Sequence, residues 1–230
     1  MVAQPSTIQT STFTVAEYVA LEGASDTKHE YVDGHIYAMS GGTLDHDGIA
    51  KMLLANPPLR VSDASNCVWS RVAATCQEGS IEVRQQHLAN NVRADLTVHL
   101  RHTGMPCLLR GPDVQLHTGP TVYYYPDALV LCGHAVGGTT TELHDATLIV
   151  EVLSASTATR DRGEKFDNYQ NLPSFAEYLL VDGRTRAAAR YRREPDGSWT
   201  YRRYGRGDVV TLETIGFAAP LDTFYALTSV

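Results

Sequence analysis

Five of the six residues in the segment Leu148-Ile149-Val150-Glu151-Val152-Leu153 are apolar. A continuous run of this length predicts a strand covered on both faces, and therefore one near the middle of its sheet. That demand favours an α/β architecture, in which other layers flank the sheet. Strand alternation puts Glu151 on the face that carries Ile149 and Leu153. A buried carboxylate without a partner costs several kcal/mol or takes up a proton, so Glu151 needs a cation, a metal or hydrogen-bond donors. It is either paired with a core arginine or aimed into a site.

The rest of the chain supports that architecture. With 230 residues, 43% of them hydrophobic and 20% charged, it can bury a sizeable core as one domain. No apolar run reaches the ~20 residues of a membrane span, and the first residues lack the pattern of a secretion signal. The expected protein is soluble and cytoplasmic. Residues 1–12 read as a polar, flexible tail, and Thr14 with Glu17 has capping-box spacing that opens a helix through Leu21. HEYV and HIYAM form a hairpin around Asp33-Gly34. Leu44 to Leu54 reads as a short helix ended by Pro57-Pro58.

Residues 57–86 show no period and are expected to be a long loop or an insertion. Helical spacing returns at Leu88, Val92, Leu96 and Leu100. Strands are expected over Cys107–Leu116, Val122–Cys132 and Thr147–Leu153, followed by a helix over 158–172. FAEYLLVD, RAAARYRRE and SWTYRRYG then read as strands, the last two joined by a Pro-Asp-Gly turn. The predicted fold is a central mixed sheet flanked by helices, with a C-terminal antiparallel meander.

Asp127, just after Pro126 in YYYPDALVLC, is a second acid on a mostly apolar strand, 24 residues before Glu151. Proline cannot donate to a strand ladder, so Asp127 is expected at a strand start, an edge or a bulge. Two carboxylates on rigid neighbouring strands suit Mg²⁺, which takes one or two carboxylates and keeps several waters. Asp161, Lys165 and Tyr169 are spaced i, i+4 and i+8, so they share one helix face directed back toward those strands. An ordinary surface ion pair is the competing reading of Asp161 and Lys165.

Other chemistries fit poorly. The four cysteines, Cys67, Cys76, Cys107 and Cys132, form no CxxC pair and read as reduced thiols. There is no HExxH zinc motif, no GxSxG elbow around Ser154 or Ser156, and no P-loop lysine near Gly133. The net charge of −7 opposes broad non-specific binding of nucleic acid. Its distribution is uneven, because residues 184–206 hold eight arginines against Glu194 and Asp196. Interleaved with Tyr191, Trp199, Tyr201 and Tyr204, those arginines form either a nucleic-acid surface or a solvated sheet face.

The ordered set HEYVDGHIYAMSGG, YYYPDALVLC, LIVEVLSASTATRDRGEKFDNYQ and FAEYLLVD resembles the Uma-two family of putative restriction endonucleases, within the PD-(D/E)XK nuclease superfamily. The resemblance runs from about residue 13 to 182, with residues 51–86 poorly matched, as an insertion would be. It implies a restriction-endonuclease-like core and a divalent-metal site. Asp127 then matches the PD acid and Glu151 the (D/E)XK acid. Glu30 matches the leading glutamate, Ser154 the serine after the strand, and Asp113 an aspartate upstream of PD. Asp161, Lys165 and Tyr169 match the following helix.

Two departures qualify the match. The superfamily lysine usually lies two residues after the second acid, where this chain has Leu153, so Lys165 is the expected substitute. The family histidine corresponds to His46 or His87, with spacing favouring His46. The resemblance implies a Mg²⁺-dependent DNA endonuclease, with Mn²⁺ as a substitute metal and a homodimer as a natural assembly for a two-stranded substrate. The alternative is a catalytically silent nuclease-like module for DNA binding or assembly.

Overall fold

Two larger sheets and a two-stranded ribbon share the chain, which passes from one larger sheet to the other around Pro126. The computed structural model describes residues 12–39, 81–133, 141–228 and 230. The expected helix over 44–54, His46, Cys67, Cys76 and nearly all of the expected tail lie outside the described residues.

Helix α1 (Val15–Ala24) starts as its sequence dictates. The Thr14 side chain accepts from the Glu17 amide, while the Glu17 carboxylate accepts from the Thr14 amide. Strands β1 (His29–Val32) and β2 (His35–Ala38) form the expected hairpin. Its turn places Asp33 at φ 46° and Gly34 at φ 92°, the paired positive angles of a tight hairpin turn.

Helix α2 (Ile81–Thr103) begins inside the segment expected to lack structure, because its first turns carry no apolar stripe. Its buried face then appears at Leu88, Val92, Leu96 and Leu100, as the periodicity requires. The expected strand over 107–116 is divided into β3 (Cys107–Arg110) and β4 (Gln115–Gly119) by the Gly111–Asp113 turn. The next expected strand is likewise divided, into β5 (Val122–Tyr124) and β6 (Ala128–Cys132). Pro126 lies at this break, where a residue without an N–H is tolerated. Each division sends consecutive strands to different sheets.

β7 (Glu142–Leu143) completes a five-stranded sheet of order β2-β1-β5-β4-β7. The apolar run is β8 (Leu148–Leu153), followed by β9 (Glu177–Asp182), β10 (Ala188–Arg193) and β11 (Trp199–Tyr204). These strands form a mixed six-stranded sheet of order β11-β10-β9-β8-β6-β3, in which only the β8–β9 pair is parallel. The C-terminal meander is thus continuous with the central sheet. β12 (Val209–Leu212) and β13 (Phe217–Pro220) form a separate ribbon, followed by α5 (Leu221–Phe224).

The expected helix after β8 is two short helices, α3 (Ala158–Arg162) and α4 (Glu164–Tyr169), separated at Gly163. One sheet face, with Val150, Val152, Leu179 and Val181, packs on α2 and the C-terminal segment. The other face, with Ile149, Leu153, Tyr178 and Leu180, packs on Tyr169, Leu172 and the second sheet through Leu116, Val122 and Tyr124. Glu151 belongs to this second face.

Two of the cysteines depart from the expectation of reduced thiols. Cys107 and Cys132 are directly opposed on β3 and β6, and they form a disulfide. The pairing follows from strand register, which the spacing of the cysteines does not reveal.

Candidate active site

Lys165 lies at the centre of a buried charge cluster. Its Nζ is 2.7 Å from Glu30 Oε1, 3.1 Å from Glu151 Oε1 and 3.3 Å from Asp161 Oδ1. All four residues are at most 5% exposed. Three separate elements supply the acids: Glu151 is in the middle of β8, Glu30 comes from the second sheet, and Asp161 precedes the Gly163 break. The i, i+4 contact survives that break, so the expected common face of Asp161, Lys165 and Tyr169 is retained.

Asp127 approaches from the strand on the other side of β8. The β6–β8 ladder begins with Ala128 opposite Val150, so one further step of the register sets Asp127 opposite Glu151. In place of a ladder bond, the Asp127 carboxylate itself accepts the Val152 amide at 2.7 Å. Pro126 turns the backbone away and leaves that amide to the side chain. Arg93 of α2 holds the Asp127 carbonyl at 3.3 Å.

The Tyr169 hydroxyl donates to Glu151 Oε1 at 2.7 Å and so orients that carboxylate. Ser154 belongs to the turn after β8, where its Oγ accepts the Thr157 amide at 2.9 Å. Asp113 stands apart at the surface, paired with Lys28. His87 is exposed on α2.

Sequence reasoning missed Arg160, which ties α3 to the β1–β2 hairpin of the second sheet. Its Nη1 donates to Glu30 Oε2 at 2.7 Å, its Nε donates to Glu164 Oε1 at 2.9 Å, and its guanidinium lies 3.8 Å above the Tyr37 ring. Its position next to Asp161 is the one available signal, because any inward helix face draws in flanking residues. Arg93 gave none, since its target is a backbone carbonyl.

Four buried carboxylates, Glu30, Asp127, Glu151 and Asp161, therefore gather near the Lys165 ammonium, with Arg160 on Glu30 and Arg93 beside Asp127. Burial pushes the Asp127 carboxyl up to about 6, partly offset by the Val152 amide and by Lys165. Burial raises Glu151 further, to about 8, with Lys165 opposing the rise and Asp161, Asp127 and Glu30 adding to it. Burial alone would lower Lys165, but the carboxylates around it prevail and hold its ammonium well above the ordinary lysine range. Glu30 Oε1 and Asp161 Oδ1 are buried with no directional hydrogen bond, leaving only their ionic contact with Lys165.

This surplus of buried, hard oxygen donors fits a divalent cation such as Mg²⁺. Among the described residues, no group of three or more His, Cys, Asp or Glu side chains is arranged to hold a metal ion.

Residues 70–222 match the model of the Uma2 family, described as "Putative restriction endonuclease". An uncharacterized protein of Synechocystis sp., slr1290, is 30% identical over 210 residues, which cover 91% of this chain and 89% of the relative. A second from the same organism, sll1609, is 23% identical over 192 residues, covering 83% and 86%. The fold is similar to the crystal structure of a putative nuclease belonging to DUF820 from Anabaena variabilis, with a TM-score of 0.61 and 10% identity. That likeness covers 93% of this chain and 98% of the other. The family match takes in Asp113, Asp127, Glu151, Ser154, Asp161, Lys165 and Tyr169, while Glu30 lies before it. Among the described residues, no helix is long and apolar enough to cross a membrane. With the family match spanning most of its length and the acid cluster lying within a nuclease-like fold, this chain belongs to the Uma2 family.

Proposed function

We propose that the protein is a metal-dependent endonuclease that hydrolyses phosphodiester bonds in DNA. The observation that carries this reading is the delivery of Lys165, from a helix, to the carboxylate of Glu151 opposite Asp127. The cluster so formed combines two acids on rigid neighbouring strands with one fixed ammonium. Family membership supports the nuclease class, and the acid surplus supports the metal.

Asp127 and Glu151 would hold Mg²⁺, or Mn²⁺ in its place. When bound, the metal supplies Lewis-acid polarisation of the phosphate and lowers the pKa of water. The protein's own contribution is positional. The Val152 amide fixes one oxygen of Asp127, and the Tyr169 hydroxyl fixes one oxygen of Glu151, so both carboxylates are presented without reorganisation. Lys165 retains its proton and offers a fixed N–H donor to a phosphate oxygen or to an attacking water. Glu30 anchors Lys165 from the second sheet and, with Arg160, sets the direction of that ammonium. Asp161 supports it from below, while Ser154 shapes the turn into α3. Asp113 and the histidines are assigned no direct role. Two copies acting together would reach both strands of a duplex.

A catalytically silent binding module is the second reading, and buried Leu153 favours it by standing where a superfamily lysine usually lies. Nicking of supercoiled plasmid with Mg²⁺ or Mn²⁺ decides between them, run beside Glu151→Gln and a chelator control. Metal-dependent nicking that disappears in Glu151→Gln is the expected result. Nicking that survives the substitution would overturn the assignment, and no nicking by folded wild-type protein would favour the silent module.

A further inference from the structure

The register of the six-stranded sheet extends the row containing Glu151 to the sheet edge. Glu151 pairs with Leu180, Leu180 with Ala189, and Ala189 with Arg203. Directly paired residues point to one face of a sheet. Arg203 therefore stands on the Glu151 face, three strands away, or about 14 Å at about 4.8 Å per strand. The adjacent row runs Ile149, Tyr178, Tyr191 and Tyr201.

Phe166 of α4 covers part of this face, with ring centroids 4.6 Å from Tyr191 and 5.0 Å from Trp199. Beyond Phe166 the face is open among the described residues. Tyr201 is 53% exposed, and its ring rests 5.0 Å from Tyr191. Arg162, exposed at the end of α3, lies within electrostatic reach of Tyr191.

Three of the eight arginines of the basic segment are paired with carboxylates, and Arg184, Arg193, Arg202, Arg203 and Arg206 are not, among the described residues. Arg186, Arg190 and Arg192 are engaged by Asp222, by Glu177 and Glu213, and by Glu194. Arg203 and Arg162 have no carboxylate partner among the described residues.

We propose that this face, from Arg162 across Tyr201 to Arg203, is the track along which the backbone of a DNA duplex lies as it enters the acid site. The proposal rests on the nuclease reading and specifies where its substrate runs. A chain of net charge −7 repels a duplex over most of its surface. An uncompensated cationic strip that shares a sheet face with the acids can steer the duplex toward them. Guanidinium groups suit phosphate oxygens, and the half-exposed Tyr201 ring offers a flat apolar contact to a sugar or base. β11 is the edge of its sheet, so among the described residues no further strand extends across the track.

The adjacent residue provides the discriminating control. Arg202 is also exposed and carries the same charge, but alternation points it to the opposite face, where it lies 5.0 Å from the Tyr204 ring. The experiment measures binding of a fluorescent duplex by the full chain, in chelator, across a salt series. Arg203→Ala is expected to weaken binding about five- to tenfold and to lower the salt slope by about one, while Arg202→Ala stays within about twofold. Arg162→Ala should behave like Arg203→Ala, and Arg203→Lys should retain most of the affinity. All variants are first checked for wild-type melting.

Equal losses from Arg202→Ala and Arg203→Ala would reduce the effect to net charge and overturn the proposal. So would unchanged DNA binding in Arg203→Ala, including the case in which that variant dissociates a dimer seated on β11. In either case wild-type binding leaves the nuclease reading intact. If wild-type protein neither binds duplex nor nicks plasmid, the nuclease reading fails and the track fails with it.

Discussion

Lys165 reaches Glu151 from a helix 14 residues further along the chain, closing a 3.1 Å contact that no residue of β8 itself supplies. Leu153, two residues after Glu151, shares its face but is buried in apolar packing. The lysine therefore answers to helix placement, and its position depends on both the Gly163 break and the carboxylate of Glu30.

Removing that ammonium exposes the surplus of acid. Lys165→Met is expected to destabilise the metal-free protein by about 3–5 kcal/mol, the range for breaking a buried ion pair from one side. Saturating Mg²⁺ should recover part of the loss, because a cation replaces a cation. Urea unfolding with and without Mg²⁺ checks both statements. Nicking should fall at least about 100-fold, as for loss of a fixed donor to a reacting oxygen.

The raised carboxyls give a definite pH dependence. Asp127 and Glu151 have folded-state values of about 6 and about 8, above those of free carboxyls. The folded metal-free protein thus holds protons that the unfolded chain has already released. Their contribution to stability is fully present below about pH 4 and is lost as pH rises through 6 and then 8. Metal binding has the opposite sign, since it requires the ionised acids, so Mg²⁺ affinity should increase from pH 5.5 to 8. Calorimetric titration across that window measures it, and a flat profile would contradict the assignment of these two ligands.

The cross-strand disulfide is open to a chemical count. Denatured, unreduced protein should show two fewer reactive thiols than its four cysteines. Reduction, or Cys107→Ser, should cost up to about 3.5 kcal/mol on the loop-entropy estimate for a separation of 25 residues. Nicking at moderate temperature should persist, because β3 lies on the far side of β6 from β8.

Gly183 ties the end of β8 to α2. A Cβ there would stand 2.8 Å from the Leu153 carbonyl oxygen and 3.0 Å from Gln85 Cγ. Gly183→Ala is expected to cost about 1–3 kcal/mol by overpacking. It should also shift the turn that carries Ser154, reducing nicking more than its effect on melting alone would suggest.

Much of this site could be read from local pattern. The apolar run placed β8 at the centre of its sheet and Glu151 on a defined face, and helical spacing put Asp161, Lys165 and Tyr169 together. What escaped depends on register between distant segments. Nothing local links Glu30 to Lys165, because their contact requires β1 to pair with β5 in a separate sheet. The disulfide required β3 and β6 to align. The strand over Val122–Cys132 divides because the chain changes sheets there, and Pro126 indicated an irregularity without its purpose. Arg160 escaped because its partners Glu30 and Tyr37 lie on the distant strands β1 and β2.

The seam between the sheets has a mechanical consequence. Glu30 is carried by one sheet and Glu151 by the other, and Lys165 grips both, acting as a rivet through the two plates. Arg160, set beside it on Glu30, fastens α3 and α4 to the second sheet. A phosphate drawn to the ammonium competes with the rivet's own grip, so substrate arrival and the stiffness of the seam are two readings of one equilibrium.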